Sequence, residues 1–212
     1  MPAVIVGGPV RGVRSVGIDD LAAGRAAMEH LLALGHRRIG HIGGETEYGM
    51  DHSVGQDRAQ AWRWSLERHG IVPPPEWYAV GSFLMPQAKV AAAAMLRSPN
   101  QPTAIFAGSD EMAFGVILAA LESGLQVPED LSVIGIDDHA WSESFGLTTV
   151  RQDPFEQGRA AARTVLDALA DRSTPVRTVE AEVRLVERRS TARVQGPPGP
   201  EAITPPPIAV AR

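Results

Sequence analysis

The chain contains no cysteine. That excludes disulfides, thiolate metal sites and a cysteine nucleophile, and it fits a reducing compartment. An excess of basic residues is also missing: 20 Lys and Arg stand against 25 Asp and Glu, a formal net charge of −5. No general positive field therefore draws the chain onto nucleic acid. No apolar run approaches the length of a membrane span, and no basic-then-apolar leader opens the sequence. The common catalytic signatures are missing too: no G-x-S-x-G elbow, no Walker lysine, no H-E-x-x-H, and no G-x-G-x-x-G opening a helix. What remains, 212 residues of which 44% are hydrophobic, is an ordinary soluble composition with length for one or two domains.

The most legible stretch is Ala107 to Asp138 with the strand that leads into it. Ala104 to Ala107 is a short apolar run that stops at Gly108, and Ser109 and Asp110 follow as residue types suited to a helix start. Met112, Val116, Ala119, Ala120 and Ser123 recur at helical spacing. Gly124 and Pro128 end that helix, and Val133 to Ile136 is a second apolar run that stops at Asp137–Asp138. The stretch reads as a parallel βαβ unit. Both strands then end on one rim of the sheet, where open α/β sheets bind ligands. A helix cap accounts for Asp110; two adjacent carboxylates after a buried strand exceed what a turn needs.

The rest of the chain repeats the pattern. Ala3 to Gly8 and Val13 to Ile18 read as extended segments, Leu21 to Gly35 as a helix, and Arg37 to Ile42 as a strand. A polar loop runs from Gly43 to Ser53. A helix follows from Gln56 to Gly70 with Ala59, Trp62 and Leu66 as its apolar stripe, then a short strand at Tyr78–Val80 and an Ala-rich helix near Pro86–Leu96. His139 to Leu147 is an irregular loop holding Trp141, which either lids a cleft or plugs the loop. Thr148 to Arg151 is extended. Asp153, Pro154 and Glu156 open a helix with a capping-box pattern, carried to Ala170 through Ala161, Val165 and Leu169. Thr178 to Glu187 alternates as one half-buried strand, and the Pro-rich Gly196–Arg212 reads as a disordered tail. The layout is α/β with a doubly wound parallel sheet. The opening strand and the Asp153–Ala170 helix fit that single sheet poorly and look like pieces of a second domain.

Four motifs then carry a family resemblance. Leu34-Gly35-His36-Arg37-Arg38-Ile39-Gly40-His41-Ile42-Gly43-Gly44 resembles the signature of the lac/gal repressor family of bacterial transcription regulators. So do Ser109 to Gly115, Val127 to Asp138, and Leu147 to Gln152, all in family order across Met1 to Val194. The resemblance implies the type I periplasmic-binding-protein-like fold: two α/β subdomains joined by crossover strands, with a small effector between them. On that pattern residues 1–16 are a remnant of the first subdomain and 17–147 are a complete second one. Residues 148–175 are a crossover and helix of the first, 176–194 a returning crossover strand, and 195–212 the tail. The family's helix-turn-helix headpiece has no counterpart here, so the chain reads as truncated. Operator DNA is then expected as a partner of a full-length homodimeric parent in the cytoplasm, and not of this chain.

The resemblance also implies site roles, all of recognition. Arg58 matches an arginine that grips the effector, and Asp137 a carboxylate that takes its hydroxyls. Phe83 matches an aromatic stacking position, and Gln152 lies at a crossover where members contact effector. Ser109 stands where many members carry Asn or another polar contact, a departure from the hexose-binding pattern. The effector class implied is a sugar or related polyol or nucleoside; no cofactor, metal or catalytic residue is expected. Read from the residues alone, Arg58 forms a surface ion pair with Asp57 or Asp51, Phe83 serves core and ligand equally well, and Trp62 is core. A sugar-binding protein of a transport system shares the fold and is the alternative.

Overall fold

The computed structural model describes residues 2–8, 12–44, 53–171 and 173–194. Most of the expected polar loop, residues 45–52, and the Pro-rich tail lie outside the described residues. Parallel strands buried on both faces need helices on both sides, and the central segments meet that need. Strands β3 (Ile39–Gly43), β4 (Tyr78–Val80), β5 (Ala104–Ala107), β6 (Ser132–Asp137) and β7 (Thr148–Arg151) form a parallel sheet in the order β4-β3-β5-β6-β7. Helices α1 (Asp20–Ala33) and α2 (Val54–Arg68) cover one face. Helices α3 (Met85–Leu96) and α4 (Asp110–Glu122) cover the other.

The period-two alternation of the strands divides the core. Ile39, Phe106, Ile134 and Ile136 point to the α1–α2 side with Met28, Leu31, Trp62 and Leu66. Ile42, Ile105 and Val133 point to the α3–α4 side with Met95, Met112 and Val116. Each fully buried side chain of this size contributes roughly 1.5–3 kcal/mol, so these two layers carry the fold. Trp62 belongs to the first layer, and its indole N–H donates to the Ile39 carbonyl at 2.9 Å. His36, buried, ties the end of α1 to the starts of two strands: its ring nitrogens lie 2.9 Å from Thr103 Oγ1 and 3.1 Å from Ser132 Oγ.

A second, three-stranded parallel sheet, β1 (Val4–Val6), β2 (Arg14–Gly17) and β8 (Thr178–Glu180), packs against helix α6 (Pro154–Ala170). The strand expected over Thr178–Glu187 is in fact two. Its first three residues form β8, and Arg184–Val186 form β9, which joins the larger sheet antiparallel to β7. Its alternating pattern is real, yet Ala181 to Val183 step from one sheet to the other. The short step also explains the reversed direction, because a parallel return needs a long crossover. The chain passes between the sheets at three neighbouring places, after Gly17, after Arg151 and after Glu180. There the Ala181 N–H donates to the Gly17 carbonyl.

Helix α6 is capped as its sequence predicts: Asp153 Oδ1 accepts from the Phe155 and Glu156 N–H groups, each at 3.1 Å. Glu156 turns outward to Arg159 instead of completing the box. The helix buries Gln157, Ala161 and Ala168, while Leu169, expected inside, is exposed together with Phe155 and Leu166. Three strands are too narrow to cover more than that thin stripe. A short helix, α5 (Ser142–Phe145), replaces the irregular loop after β6.

Where α3 and α4 cross, a side chain is not tolerated. A Cβ on Gly115 would stand 2.4 Å from the Met85 carbonyl oxygen and 2.9 Å from the Lys89 nitrogen, both backbone. Gly115→Val is expected to cost about 1–3 kcal/mol. Gly158→Ala, on α6 with nothing nearby, should gain roughly 0.5–1 kcal/mol. Urea midpoints of the two variants test the opposite signs.

His41 gives the core its own pH dependence. Its ring lies among Phe106, Trp62 and Tyr78, and Nδ1–H donates to the Phe106 carbonyl. Burial pushes its pKa down from 6.5 to about 4. The unfolded histidine binds a proton the folded one refuses, so stability falls as pH drops from 6.5 towards 4, by roughly 2–3 kcal/mol from this residue. Urea melts at pH 6.5 and 4.5 should show a smaller fall in His41→Gln.

Candidate functional site

All five parallel strands of the larger sheet end on one rim, and the polar residues that follow them gather there. Ser109, next after β5 but for Gly108, is the N-cap of α4, its Oγ accepting from the Met112 N–H at 3.3 Å. Asp137 ends β6 in a left-handed backbone conformation (φ 137°). Beyond β4, Phe83 is left-handed as well (φ 56°). Such conformations cost non-glycine residues of order 1–3 kcal/mol and cluster at functional sites. The Phe83 ring lies flat over Gly44, where a Cβ would come within 2.1 Å of it.

Arg58, on α2, does not make the surface ion pair that its neighbours suggested. It is 4% exposed, and its partner is Asp20, 38 residues earlier and 6% exposed. Nε and Nη2 donate to Asp20 Oδ1 at 2.8 and 2.6 Å, and Nη1 donates to the Gly108 carbonyl. Asp20 is the first residue of α1, so its carboxylate also meets the positive end of that helix. Burial still pushes its pKa up, against the pull of Arg58.

Asp137 is held from the crossover. Gln152 Nε2 donates to its Oδ1 at 2.6 Å, and Gln157 Nε2 on α6 donates to Gln152 Oε1 at 2.9 Å. Burial raises the Asp137 pKa, with Arg58 and Gln152 opposing. The adjacent Asp138 has a different task, an ion pair with Arg188 at 2.7 Å. Of the doubled carboxylates, one faces the rim and one fastens the returning strand.

These groups enclose a cavity of about 220 Å³ between the two sheets. Arg58, Phe83, Ser109, Asp137 and Gln152 all line it, with Asp20, Ile18, Val54, Gly7 and Gln157. Trp141 does not: it is 60% exposed, and its ring sits beside Phe114 and His139. Among the described residues, Trp141 makes no contact with that lining on which a lid role could rest. Asp110, which a cap explained, is not the cap. It is fully buried and accepts from the His139 N–H, Ser142 Oγ and Thr149 Oγ1, fastening α5 and β7 behind the site. Gly135 makes room for it, since a Cβ there would lie 2.2 Å from Asp110 Oδ1.

Asp20 and Gln157 were missed from the sequence. Asp20 is the second member of the Asp19–Asp20 pair, the same doubled-acid signal that singled out Asp137. Gln157 is an uncharged polar residue four positions after the Asp153 cap, on the stripe that α6 buries.

Chemically the site offers two carboxylates, a guanidinium, two carboxamides, a hydroxyl and one aromatic face. Among the described residues no group of three metal-ligating side chains exists. Such a set recognises paired donors and acceptors on a compact polar ring.

Comparison with known proteins gives the family of the fold. A family model described as a periplasmic binding protein-like domain matches residues 28–191. A protein from Proteus mirabilis named HTH-type transcriptional repressor PurR is 36% identical over 197 residues, 91% of this chain and 57% of its own length. The chain thus spans little more than half of that relative. Among solved structures, a LacI family transcriptional regulator from Mycobacterium smegmatis superposes with a TM-score of 0.80 at 30% identity, covering 91% of this chain and 71% of that one. A LacI family regulator from Enterococcus faecium with bound ribose gives 0.78 at 28% identity, covering 92% and 72%.

The half-buried carboxylate at 137 works against stability at neutral pH. Its raised pKa means that folding favours the protonated form. The stability it contributes is present below its ordinary value of 3.8 and is lost as pH rises through the folded value. Asp137→Asn keeps the acceptor for Gln152 without the charge. It is expected to raise stability at pH 7 by about 0.5–2 kcal/mol, with the gain fading towards acid pH. Urea midpoints at pH 7 and pH 4 check both statements.

Proposed function

Since the chain belongs to the LacI family of transcriptional regulators, in its periplasmic binding protein-like domain, we propose that the cavity is an effector site for a small uncharged polyhydroxylated ring, a sugar or a related polyol or nucleoside. In this reading residues 17–147 form one wall, and 1–16 with 148–175 form the other. Adjacent ring hydroxyls donate to Asp137 and accept from the N–H groups of Arg58 that Asp20 and Gly108 leave free. Ser109 and Gln152 complete the polar set, and Phe83 covers the apolar face of the ring. The relatives are regulators, not enzymes, and the site is read as one of binding alone.

The observation that carries this reading is the composition of one cavity from two sheets. Asp137 and Ser109 come from the rim of the larger sheet, Gly7 from the end of the smaller one, Gln152 from the connection between them and Gln157 from α6, which packs on the smaller sheet. A ligand that touches both sides stabilises their approach, and differential contact between open and closed forms is the source of any coupling. In the whole regulator that closure is proposed to shift affinity for operator DNA, with a coupling typically of about 1–3 kcal/mol. The whole protein is further read as a cytoplasmic homodimer.

Titration calorimetry of the chain with D-ribose, other monosaccharides and adenosine tests the reading. One of these is expected to bind, and Arg58→Gln to weaken it at least roughly tenfold, since a lost charged hydrogen bond costs about 1.5–3 kcal/mol. Binding unchanged in both Arg58→Gln and Asp137→Asn would overturn the assignment of the cavity.

A further inference from the structure

We infer that Asp20 is a specificity residue that restricts this cavity to effectors without negative charge and so excludes phosphorylated sugars and other anions. The inference rests on the effector-site reading above and narrows its ligand class. It starts from the arginine. A guanidinium has five N–H donors in a fixed fork that matches phosphate and carboxylate, and it is the group of choice for binding either. Among the described residues that line the cavity, Arg58 is the sole cation. An anionic effector would find its guanidinium partner there.

Asp20 already occupies that position. Its Oδ1 takes both Nε and Nη2, and Gly108 takes Nη1, so three of the five donors are engaged within the protein. The edge formed by Nε and Nη2, one of the two that can grip an oxyanion bidentately, is spent on a carboxylate. The two N–H groups left belong to a guanidinium whose charge is already matched, at 2.6 Å, by a partner as buried as itself. Asp137 adds a second carboxylate to the lining. With both ionised, one positive and two negative charges sum to −1.

An arriving phosphate would meet that field after losing its own hydration, with low-dielectric walls to magnify the repulsion. A neutral hydroxyl meets no such penalty. It accepts from a spare N–H of Arg58 and donates to Asp137. Asp20 thus converts an arginine fitted for anions into one fitted for hydroxyls, and it also holds the guanidinium still. The planar fork arrives preorganised, so little ordering is needed on binding.

Asp20→Asn removes the charge and retains the shape and one acceptor. The tests use D-ribose 5-phosphate and inorganic phosphate as anionic probes, followed by calorimetry and by the shift of the thermal midpoint. Wild-type chain is expected to show no phosphate-dependent shift. Asp20→Asn is expected to bind ribose 5-phosphate at least about tenfold more tightly than wild type, and the double variant Asp20→Asn/Arg58→Gln to lose that gain. Retention of the gain in the double variant, or its absence in a folded Asp20→Asn, would overturn the inference. If Asp20→Asn does not fold, the wild-type chain decides. Phosphate binding that Arg58→Gln abolishes refutes the inference, and no binding supports it. Failure of every neutral ring to bind would sink the sugar reading alone, because the phosphate measurements do not depend on it.

Discussion

A guanidinium taken out of water must find its counter-charge inside the protein, and in this chain that requirement organises the rim. Asp20 and Arg58 stand on different helices, at the start of α1 and in the first turns of α2, and both are almost fully buried. Removing one partner from such a pair typically costs about 3–5 kcal/mol, because the other is left uncompensated. The pair therefore sets how α1 and α2 approach. Gly24 backs it: a Cβ there would stand 2.7 Å from that of Ala61. Through Nη1 the same arginine holds the carbonyl of Gly108, where β5 gives way to α4. One side chain thus joins two helices and a strand end, and the cavity is the space they leave.

Around that pair the rim holds further groups that a core would reject. Asp110, buried, and Asp137, half-buried, are carboxylates with raised pKa values, and Phe83 and Asp137 take backbone conformations that suit glycine. Each weakens the fold locally. They persist because two apolar layers, one on each face of the larger sheet, supply stability far from the rim. Asp110 shows how such a group is made tolerable. Among the described residues it pairs with no cation, but three donors, the His139 N–H, Ser142 and Thr149, satisfy it, and Gly135 leaves it room.

Much of this was legible in the sequence, for a physical reason. Apolar periodicity and turn chemistry are local, so the β5–α4–β6 unit, the Asp153 cap and the doubled acids after β6 could be read directly. Residues one step past parallel strand ends fall on one rim by topology, which brought Ser109 and Asp137 together without coordinates. What could not be read depends on packing between distant segments. Arg58 has acidic neighbours in sequence, yet its partner is Asp20, because α1 and α2 lie side by side. Asp110 has the chemistry of a cap and the position of a buried anchor, and only the placement of β7 and α5 distinguishes them. The alternation from Val179 to Leu185 is the same for one strand or two, since changing sheets does not disturb the period. The rotation of α6 that buries Ala168 instead of Leu169 is set by its packing on β1 and β2, which are distant in sequence.

The three neighbouring passages between the sheets carry a mechanical consequence. One tether lets two bodies swivel freely, whereas links side by side act like the knuckles of a door hinge. After Gly17, after Arg151 and after Glu180 the chain crosses within one narrow band, and a backbone hydrogen bond from Ala181 to Gly17 ties two of the links together. Sliding and twisting are resisted, and bending about the band is left as the soft motion. A molecule of a few atoms lodged near that axis can then set an angle that is read out far away, as displacement grows with distance from the pivot.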